Sequence, residues 1–157
     1  MRFSACFYFP DMLIYNKQYK RGIKMKTIVY LDMDGTIANL YGIENWLYRL
    51  RNEDSTIFTE CETLITEKAL FDLYPVEKYE IRILSMTPKK ATKRYCMSVI
   101  AQKNEWLDTH FPHITKRIYL PYGHNKNLKN SANKILIDDS EIIRNNFRGI
   151  ALAPAWC

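Results

Sequence analysis

Two pairs of acidic residues stand directly after short apolar runs, one in each half of the sequence. Asp32 and Asp34 follow the apolar residues 28–31 and are followed in turn by Gly35 and Thr36. The apolar run predicts a buried strand, and Gly35 can adopt a turn conformation that other residues resist. Open α/β sheets bind their ligands at the carboxyl ends of the strands, where these acids would lie. Two crowded carboxylates repel each other unless a cation lies between them, and such oxygen ligands suit Mg²⁺.

The second acidic pair, Asp138 and Asp139, ends the apolar run of residues 135–137. Taken alone, this pair is also typical of a turn or a helix cap, because aspartate favours both. Together with the first pair, it predicts that two strand ends supply oxygen ligands to one shared metal site. The candidate metal ligands are therefore Asp32, Asp34, Asp138 and Asp139.

Two further polar features are expected at the same edge of the sheet. Ser85 and Thr87 follow the apolar run that ends at Leu84, and residues 124–130 offer a lysine. A carboxylate nucleophile, a second acid, a hydroxyl donor, a cation and a metal together suit attack on a phosphoryl group. The nucleophile would form and then lose an aspartyl-phosphate, while Asp34 would give a proton to the leaving oxygen and later take one from water.

These residues resemble the four motifs of the haloacid dehalogenase superfamily, in the same order. Asp32-Met33-Asp34-Gly35-Thr36 resembles the first motif, Ser85 the second, Lys126 the third and Asp138-Asp139 the fourth. The resemblance extends over about residues 28–152. It implies an aspartate-based enzyme on a Rossmann-like fold.

Within this superfamily, the sequence is more similar to phosphatases than to dehalogenases, because it has the second acid Asp34 and the paired acids of the fourth motif. The compact segment after the first motif is similar to that of the 5′(3′)-deoxyribonucleotidase branch and related small phage-encoded proteins. The same similarity is found in Ile83-Leu84-Ser85 followed shortly by Pro88.

The resemblance implies a role for each motif residue. Asp32 would be the nucleophile and a metal ligand, and Asp34 the general acid and base, with its backbone carbonyl also binding the metal. Asp138 would bind Mg²⁺ directly, and Asp139 directly or through a water molecule. The residues that would bind the phosphate of the substrate are Gly35, Thr36, Ser85, Thr87 and Lys126.

Two of these assignments leave a choice between neighbouring residues. The deoxyribonucleotidases carry Thr-Ser-Pro after the second strand, whereas this chain has Ser85-Met86-Thr87-Pro88, which is longer. Either Ser85 or Thr87 could hold the phosphoryl group, and Ser85 is preferred because it directly ends the apolar run. Lys126 is preferred to Lys129 because it follows the turn at residues 121–123, from which a loop can reach the site.

The remaining pattern predicts the elements that hold these residues. Strands are predicted at 27–33, 79–84, 118–120, 134–138 and 149–152, and helices at 43–51, 59–72, about 90–110 and 140–146. This alternation predicts an α/β fold with a parallel sheet covered on both sides, as in the three-layer Rossmann-like fold of the resembled superfamily. Residues 37–77 are predicted to form a small helical cap inserted after the first strand. The alternative is that these helices only cover one face of the sheet.

Positive charge is concentrated at the start of the chain. The formal net charge is +6, of which residues 1–24 supply +4, so the remainder carries little excess to bind nucleic acid. Residues 1–24 lack the apolar core and cleavage site of a signal peptide. We expect Met25 to be the natural start and residues 25–157 to form the domain with its cap.

The four cysteines contain no Cys-x-x-Cys pair, and no apolar run reaches the roughly 18 residues that span a bilayer, so a cytoplasmic protein with free thiols is expected.

The expected function is that of an Mg²⁺-dependent phosphomonoesterase acting on a nucleoside monophosphate or another small phosphate ester. Tyr41, Trp46 and Phe58 of the cap could stack on a base, although Trp46 lies on an apolar helix face, which favours core packing. The alternatives are a phosphatase of nucleic-acid termini and a phosphate- or metal-binding module without turnover.

Overall fold

Five strands alternate with helices along the chain. The computed structural model describes residues 25–156, so the expectations for residues 1–24 lie outside the described residues. The strands are β1 (Thr27–Leu31), β2 (Tyr79–Met86), β3 (Arg117–Leu120), β4 (Ile135–Ile137) and β5 (Ile150–Leu152). The helices are α1 (Trp46–Arg51), α2 (Ile57–Glu60), α3 (Glu67–Leu73), α4 (Lys93–His110) and α5 (Glu141–Asn146), with 3-10 turns at Leu40–Gly42 and Ser131–Asn133.

Strand β1 lies at the centre of a five-stranded parallel sheet with the order β3-β2-β1-β4-β5. Its residues Val29, Tyr30 and Leu31 are buried, as expected for an apolar strand between two neighbours. Leu31 is paired with Ile83 of β2 and with Ile137 of β4. The carboxyl ends of these three strands therefore meet at one edge. The strand order changes direction between β1 and β4, the position at which α/β sheets bind ligands.

Apolar side chains cover both faces of the sheet, which confirms the predicted α/β architecture with a parallel sheet. On one face, Leu31 and Ile83 belong to the same core cluster as Val99 and Trp106 of α4. The smaller cluster on the other face consists of Tyr30, Leu84, Leu136 and Phe147. Because successive strand residues face opposite sides, the side chains that follow β1 and β2 also alternate between the two faces.

Residues 37–77, called the insert below, differ from the prediction in their second helix. The single helix predicted at 59–72 is wrong, because the structure has α2 and α3 with a non-helical stretch between them. That stretch pairs with the chain just after β1, where the N–H of Leu64 donates to the carbonyl of Ile37 at 2.8 Å. The hydroxyl of Thr66 then accepts a hydrogen bond from the first turn of α3, which starts a new helix.

The other elements lie within a few residues of their predicted positions. Helix α1 begins at Trp46 rather than at residue 43, because Asn45 before it adopts a left-handed conformation with φ of 56°. Strand β2 continues to Met86, so Ser85 belongs to the strand rather than to the loop after it. Within α3, Leu70 is buried and Ala69 is exposed.

Cys61 and Cys96 are free thiols in the part of the chain that the structure describes. Burial raises the pKa of Cys61 to about 12, so this thiol stays protonated at neutral pH. None of the helices within residues 25–156 is long and apolar enough to cross a membrane.

Candidate functional site

Three carboxylates meet at the carboxyl edge of the sheet. Asp32 follows β1, and Asp138 and Asp139 follow β4. Each offers one oxygen atom, and these atoms lie within 4.8 Å of one another. The parallel pairing of Leu31 with Ile137 explains the meeting, because the residues after two paired positions lie side by side. The predicted meeting of Asp32 with Asp138 and Asp139 is confirmed, and the cluster could hold a metal ion, whereas the carboxylate of Asp34 does not belong to it.

A buried lysine joins the two strand ends. The Nζ atom of Lys126 donates to Asp32 Oδ1 at 2.6 Å and to Asp138 Oδ2 at 2.7 Å. Only 3% of Lys126 is exposed, whereas Lys129, the other lysine considered, is exposed to solvent. Burial alone would lower the pKa of Lys126, but the charges of the two aspartates outweigh it and raise the pKa. Lys126 therefore remains protonated between the acids.

Backbone and side-chain hydrogen bonds fix the orientation of the Asp138-Asp139 pair. Asp138 Oδ1 accepts a hydrogen bond from the N–H of Ser140 at 2.9 Å. The guanidinium of Arg144 donates to the carbonyls of Asp138 and Asp139 at 2.7 and 2.6 Å. The N–H of Asp139 donates to the hydroxyl of Thr36 at 3.1 Å. Thr36 is fully buried, and this hydrogen bond lets it orient Asp139. The resemblance implied instead that Thr36 binds the phosphate.

Gly35 makes room for the close approach of two side chains. Its φ of +77° is in the left-handed region, as predicted for a turn at this position. A Cβ atom here would overlap the ring of Tyr41 and would lie 2.7 Å from Asp139 Oδ2. Glycine is therefore needed both for the turn and for the space between the insert and the acidic pair.

The second acid of the first motif pairs with a lysine that the sequence interpretation did not select. Lys103 of α4 is fully buried, and its Nζ atom lies 2.5 Å from Asp34 Oδ2. The same atom donates to Ser85 Oγ and to the carbonyl of Met86, both at 3.0 Å. Its spacing offered a signal: Lys103 continues the apolar series formed by Tyr95 and Val99 and followed by Trp106. A lysine on the apolar face of a helix needs a buried partner.

The two candidate hydroxyls of the β2 strand end have different surroundings. Ser85 is fully buried and its oxygen accepts the hydrogen bond from Lys103. Thr87 lines the cavity next to the acids. Ser85 was preferred on sequence because it directly ends the apolar run. The hydrogen bond from Lys103 shows that Ser85 faces α4, whereas Thr87 lines the cavity and its hydroxyl lies 3.5 Å from the carbonyl oxygen of Leu120.

A cavity of about 770 Å³ lies between the acids and the insert. This volume is typical of sites for small molecules. The strand ends contribute Asp32, Asp34, Thr87, Asp138 and Asp139 to its lining, and the loop after β3 contributes Lys126. The insert contributes Tyr41, Trp46, Leu47, Leu50 and Glu53, among others. The insert therefore forms one wall of the cavity over the strand ends.

Aromatic side chains of the insert lie at different depths. Tyr41 is 51% exposed, and its ring packs edge-on against Trp46 with 5.0 Å between the centroids. Phe58 is 1% exposed, and Lys103 Nζ lies 4.8 Å from the centroid of its ring. Phe58 is therefore a partner of the buried lysine. Tyr41 and Trp46 are the aromatic residues of this group that a ligand in the cavity can approach most directly.

The site carries more negative than positive charge. The carboxylates of Asp32, Asp34, Asp138 and Asp139 outnumber the ammonium groups of Lys103 and Lys126 by two. Burial raises the pKa of Asp34, Asp138 and Asp139, and the negative charge of Asp32 adds to this rise. Within residues 25–156, Asp34 Oδ1 is also buried without a hydrogen-bond partner. An excess of buried carboxylate oxygens fits a hard divalent cation.

Comparison of the sequence with protein-family models and with curated proteins found no match. The fold and the site therefore define the class: an α/β protein with a parallel five-stranded sheet and a buried acidic cluster that could hold a metal ion. The cluster faces a cavity large enough for a small organic ligand.

Proposed function

We propose that this protein is an Mg²⁺-dependent phosphomonoesterase of the haloacid dehalogenase superfamily, with Asp32 as its nucleophile. One observation carries the proposal: Asp32, Asp138, Asp139 and Lys126 meet at the floor of one cavity, with Asp34 two residues beyond the nucleophile. A parallel sheet with a helical insert after its first strand supports the same assignment.

The residues present fit a magnesium site. The carboxylates of Asp32, Asp138 and Asp139 and the backbone carbonyl of Asp34 would hold the ion. Bound Mg²⁺ would neutralise charge on the phosphoryl oxygens and polarise the phosphorus toward attack. Lys126 adds a second positive charge at the same place, because its Nζ atom already contacts Asp32 and Asp138.

Two proton transfers by Asp34 complete the proposed reaction. Asp32 attacks the phosphorus atom, the bond to the leaving oxygen breaks, and Asp34 gives that oxygen a proton. Asp34 then takes a proton from water, whose oxygen attacks the phosphorus and releases inorganic phosphate from Asp32. Burial raises the pKa of Asp34, against the opposing charge of Lys103, so its protonated form is more accessible than that of an ordinary aspartate.

The cavity supports a small phosphorylated substrate, with a nucleoside monophosphate as the leading candidate. Its volume of about 770 Å³ and the adjacent rings of Tyr41 and Trp46 would accommodate a base and a sugar. Thr87, which lines the cavity, is the hydroxyl best placed to hold a phosphoryl oxygen.

The test is hydrolysis of a panel of nucleoside monophosphates and sugar phosphates by the purified protein, with Mg²⁺ or with EDTA. We expect phosphate release with Mg²⁺, its loss in EDTA, and a fall of about 10³-fold or more in kcat for Asp32→Asn. Lys129→Met, which changes an exposed lysine of the neighbouring loop, is the matched control and should keep the wild-type rate.

Circular dichroism should show that Asp32→Asn remains folded, because asparagine has the same size as aspartate. Full activity of Asp32→Asn would eliminate Asp32 as the nucleophile. No hydrolysis of any ester by the wild-type protein, together with Mg²⁺-dependent binding of phosphate, would favour a binding module without turnover. Hydrolysis confined to DNA or RNA ends, with an affinity that falls steeply with salt, would favour a nucleic-acid phosphatase.

A further inference from the structure

Lys103 is a fully buried cation beneath the candidate site, on an otherwise apolar face of α4. Taking an ammonium group out of water is unfavourable unless charged and polar partners replace the water. An alkyl side chain of similar length would fill the same space without that penalty. The groups that the ammonium of Lys103 contacts therefore explain why a lysine is present at this position.

All three donors of the ammonium group are occupied. They reach Asp34 Oδ2, Ser85 Oγ and the carbonyl of Met86. Lys103 thus connects α4 with the end of β2 and with the loop that follows β1. The ring of Phe58 in the insert lies against the same ammonium group. No donor is left over for a ligand, and Lys103 is not part of the cavity lining.

The two carboxylate oxygens of Asp34 differ in their hydrogen bonding. Oδ2 is bound to Lys103, whereas Oδ1 is buried and has no hydrogen-bond partner within residues 25–156. A general acid and base needs one uncommitted oxygen that carries the proton, in a carboxylate whose orientation is fixed. The ion pair with Lys103 supplies that fixed orientation, because the lysine is itself held by two further hydrogen bonds.

We propose that Lys103 is a positioning residue: it anchors one oxygen of Asp34 and so holds the carboxylate at the cavity in the orientation needed for proton transfer. This inference depends on the proposed function for its catalytic consequence, but not for its structural part. Lys103 does not touch the substrate and acts through Asp34.

The kinetic test compares Lys103→Met with Asp34→Asn on two esters. An alkyl phosphate has a poor leaving group that must be protonated, whereas a dinitrophenyl phosphate has a good leaving group that departs without a proton. We expect kcat for the alkyl ester to fall by about 10²-fold or more in both variants. With the aryl ester, both variants should still release a rapid burst of phenol, because only the second step, hydrolysis of the aspartyl-phosphate, needs Asp34.

A double variant separates positioning from an independent role. Because Lys103 acts through Asp34, adding Lys103→Met to Asp34→Asn should lower kcat by less than about twofold further. Arg94→Met, which removes an exposed cation from the same helix, should match the wild type in every assay. Multiplicative losses in the double variant, or equal losses on both esters without a burst, would overturn the proposal.

Crystal structures of the wild type and of Lys103→Met provide a test that does not require activity. We expect the Asp34 carboxylate to leave its wild-type orientation, or to occupy several, once Lys103 is replaced. An unchanged carboxylate would overturn the proposal even if activity fell. If the wild type hydrolyses no ester, the proposed function fails while this comparison still decides what Lys103 holds.

Lys103→Arg provides the second variant in case methionine prevents folding. Arginine keeps the charge and the donors, so it should restore the Asp34 contact and part of the activity on the alkyl ester. A folded Lys103→Arg protein whose structure lacks a hydrogen bond to Asp34 but whose alkyl-ester activity equals that of the wild type would also overturn the proposal.

Discussion

At the scale of single residues, the two buried lysines of the site form ion pairs with different acids. Lys126 pairs with Asp32 and Asp138, and Lys103 pairs with Asp34. The two cations therefore have separate tasks in the proposed reaction, one at the nucleophile and the other at the acid and base. Each task can be tested by removing one charge.

Replacing Lys126 by methionine should separate metal binding from catalysis. The loss of a positive charge makes the site more negative, so Mg²⁺ affinity should stay equal or increase, while kcat falls by about 10²-fold or more because phosphoryl charge is no longer neutralised. Titration calorimetry with Mg²⁺ and steady-state kinetics would measure the two effects. A parallel loss of metal affinity and activity would show instead that Lys126 mainly maintains the fold of the site.

The positions of the acids and of Lys126 were predictable from the sequence, because each follows a short apolar run or a turn. The role of Lys103 was not predicted, since its partners lie on β2 and after β1, far away in the chain. Its position on the apolar face of α4 indicated a buried charge but did not identify the acid that receives it. The choice between Ser85 and Thr87 remains a prediction, and it depends on where β2 ends, which a local pattern does not locate.

At the scale of elements, the insert is held together by charged side chains as well as by apolar packing. Arg49 of α1 donates to Asp54 at 2.6 Å and to both oxygens of Glu60 at 2.6 and 2.7 Å. These contacts connect α1 with α2 across the turn between them. The insert, in turn, contacts α4 through Glu53, whose carboxylate accepts two hydrogen bonds from Thr92.

Arg49→Met should loosen the insert without unfolding the sheet. Hydrogen bonds from Arg49 lower the pKa of Glu60, and contacts with Thr56 and Arg49 lower that of Asp54. A carboxyl group with a lowered pKa stabilises the fold above its ordinary pKa and loses this contribution as the pH falls through the lowered value. The protection of residues 40–60 against hydrogen exchange, corrected for the intrinsic rate at each pH, should therefore fall in Arg49→Met at neutral pH, and in the wild type only below about pH 4.

Exchange in β1 and β2 provides the internal control for this experiment, because the side-chain hydrogen bonds of Arg49 described above go to residues of the insert. Lys68→Met, which breaks an exposed ion pair with Asp72 on α3, is the matched variant and should leave the exchange of residues 40–60 unchanged. Equal acceleration in the strands and in the insert would mean that Arg49 stabilises the whole domain.

The order and approximate positions of the elements were predictable, because apolar periodicity is a local property. The interruption between α2 and α3 was not, since Leu64 pairs with Ile37 on the other side of the 3-10 turn and of α1. Helical periodicity at 59–72 was thus overridden by a tertiary contact.

At the scale of the whole molecule, the acidic cluster opposes the stability of the fold that contains it. Burial and the neighbouring charge of Asp32 raise the pKa of Asp138, which means that folding disfavours its charged form at neutral pH. The sheet brings the acids together, and a bound cation would offset their repulsion. Stability and metal binding are therefore linked.

Asp138→Asn should be more stable than the wild type in EDTA, with a thermal midpoint higher by a few degrees for about 1 kcal/mol of relieved repulsion. Saturating Mg²⁺ should reverse the order, because it stabilises only the protein that binds it. Thermal melts with Mg²⁺ and with EDTA measure both effects. Asp72→Asn, at an exposed acid, should show neither. A lower midpoint for Asp138→Asn in EDTA would mean that its contacts with Lys126 outweigh the repulsion.

Strand order was the global property that the sequence did not determine. Periodicity locates a strand but does not name its neighbours, and β1 pairs with β2 on one side and with β4 on the other. The convergence of the two acidic pairs could be expected only from the chemistry of repelling carboxylates. The sheet order β3-β2-β1-β4-β5 provides the geometric reason for it.

The central position of β1 also has a consequence for translation. The ribosome synthesises β1 before its neighbour β2, and β4, which is followed by Asp138 and Asp139, emerges from the exit tunnel after both of them and after Lys126. A nascent chain that stops at β3 has two of the acids and neither the lysine nor the opposing pair. Such a product therefore lacks Asp138 and Asp139, so the acidic cluster can form only late in synthesis.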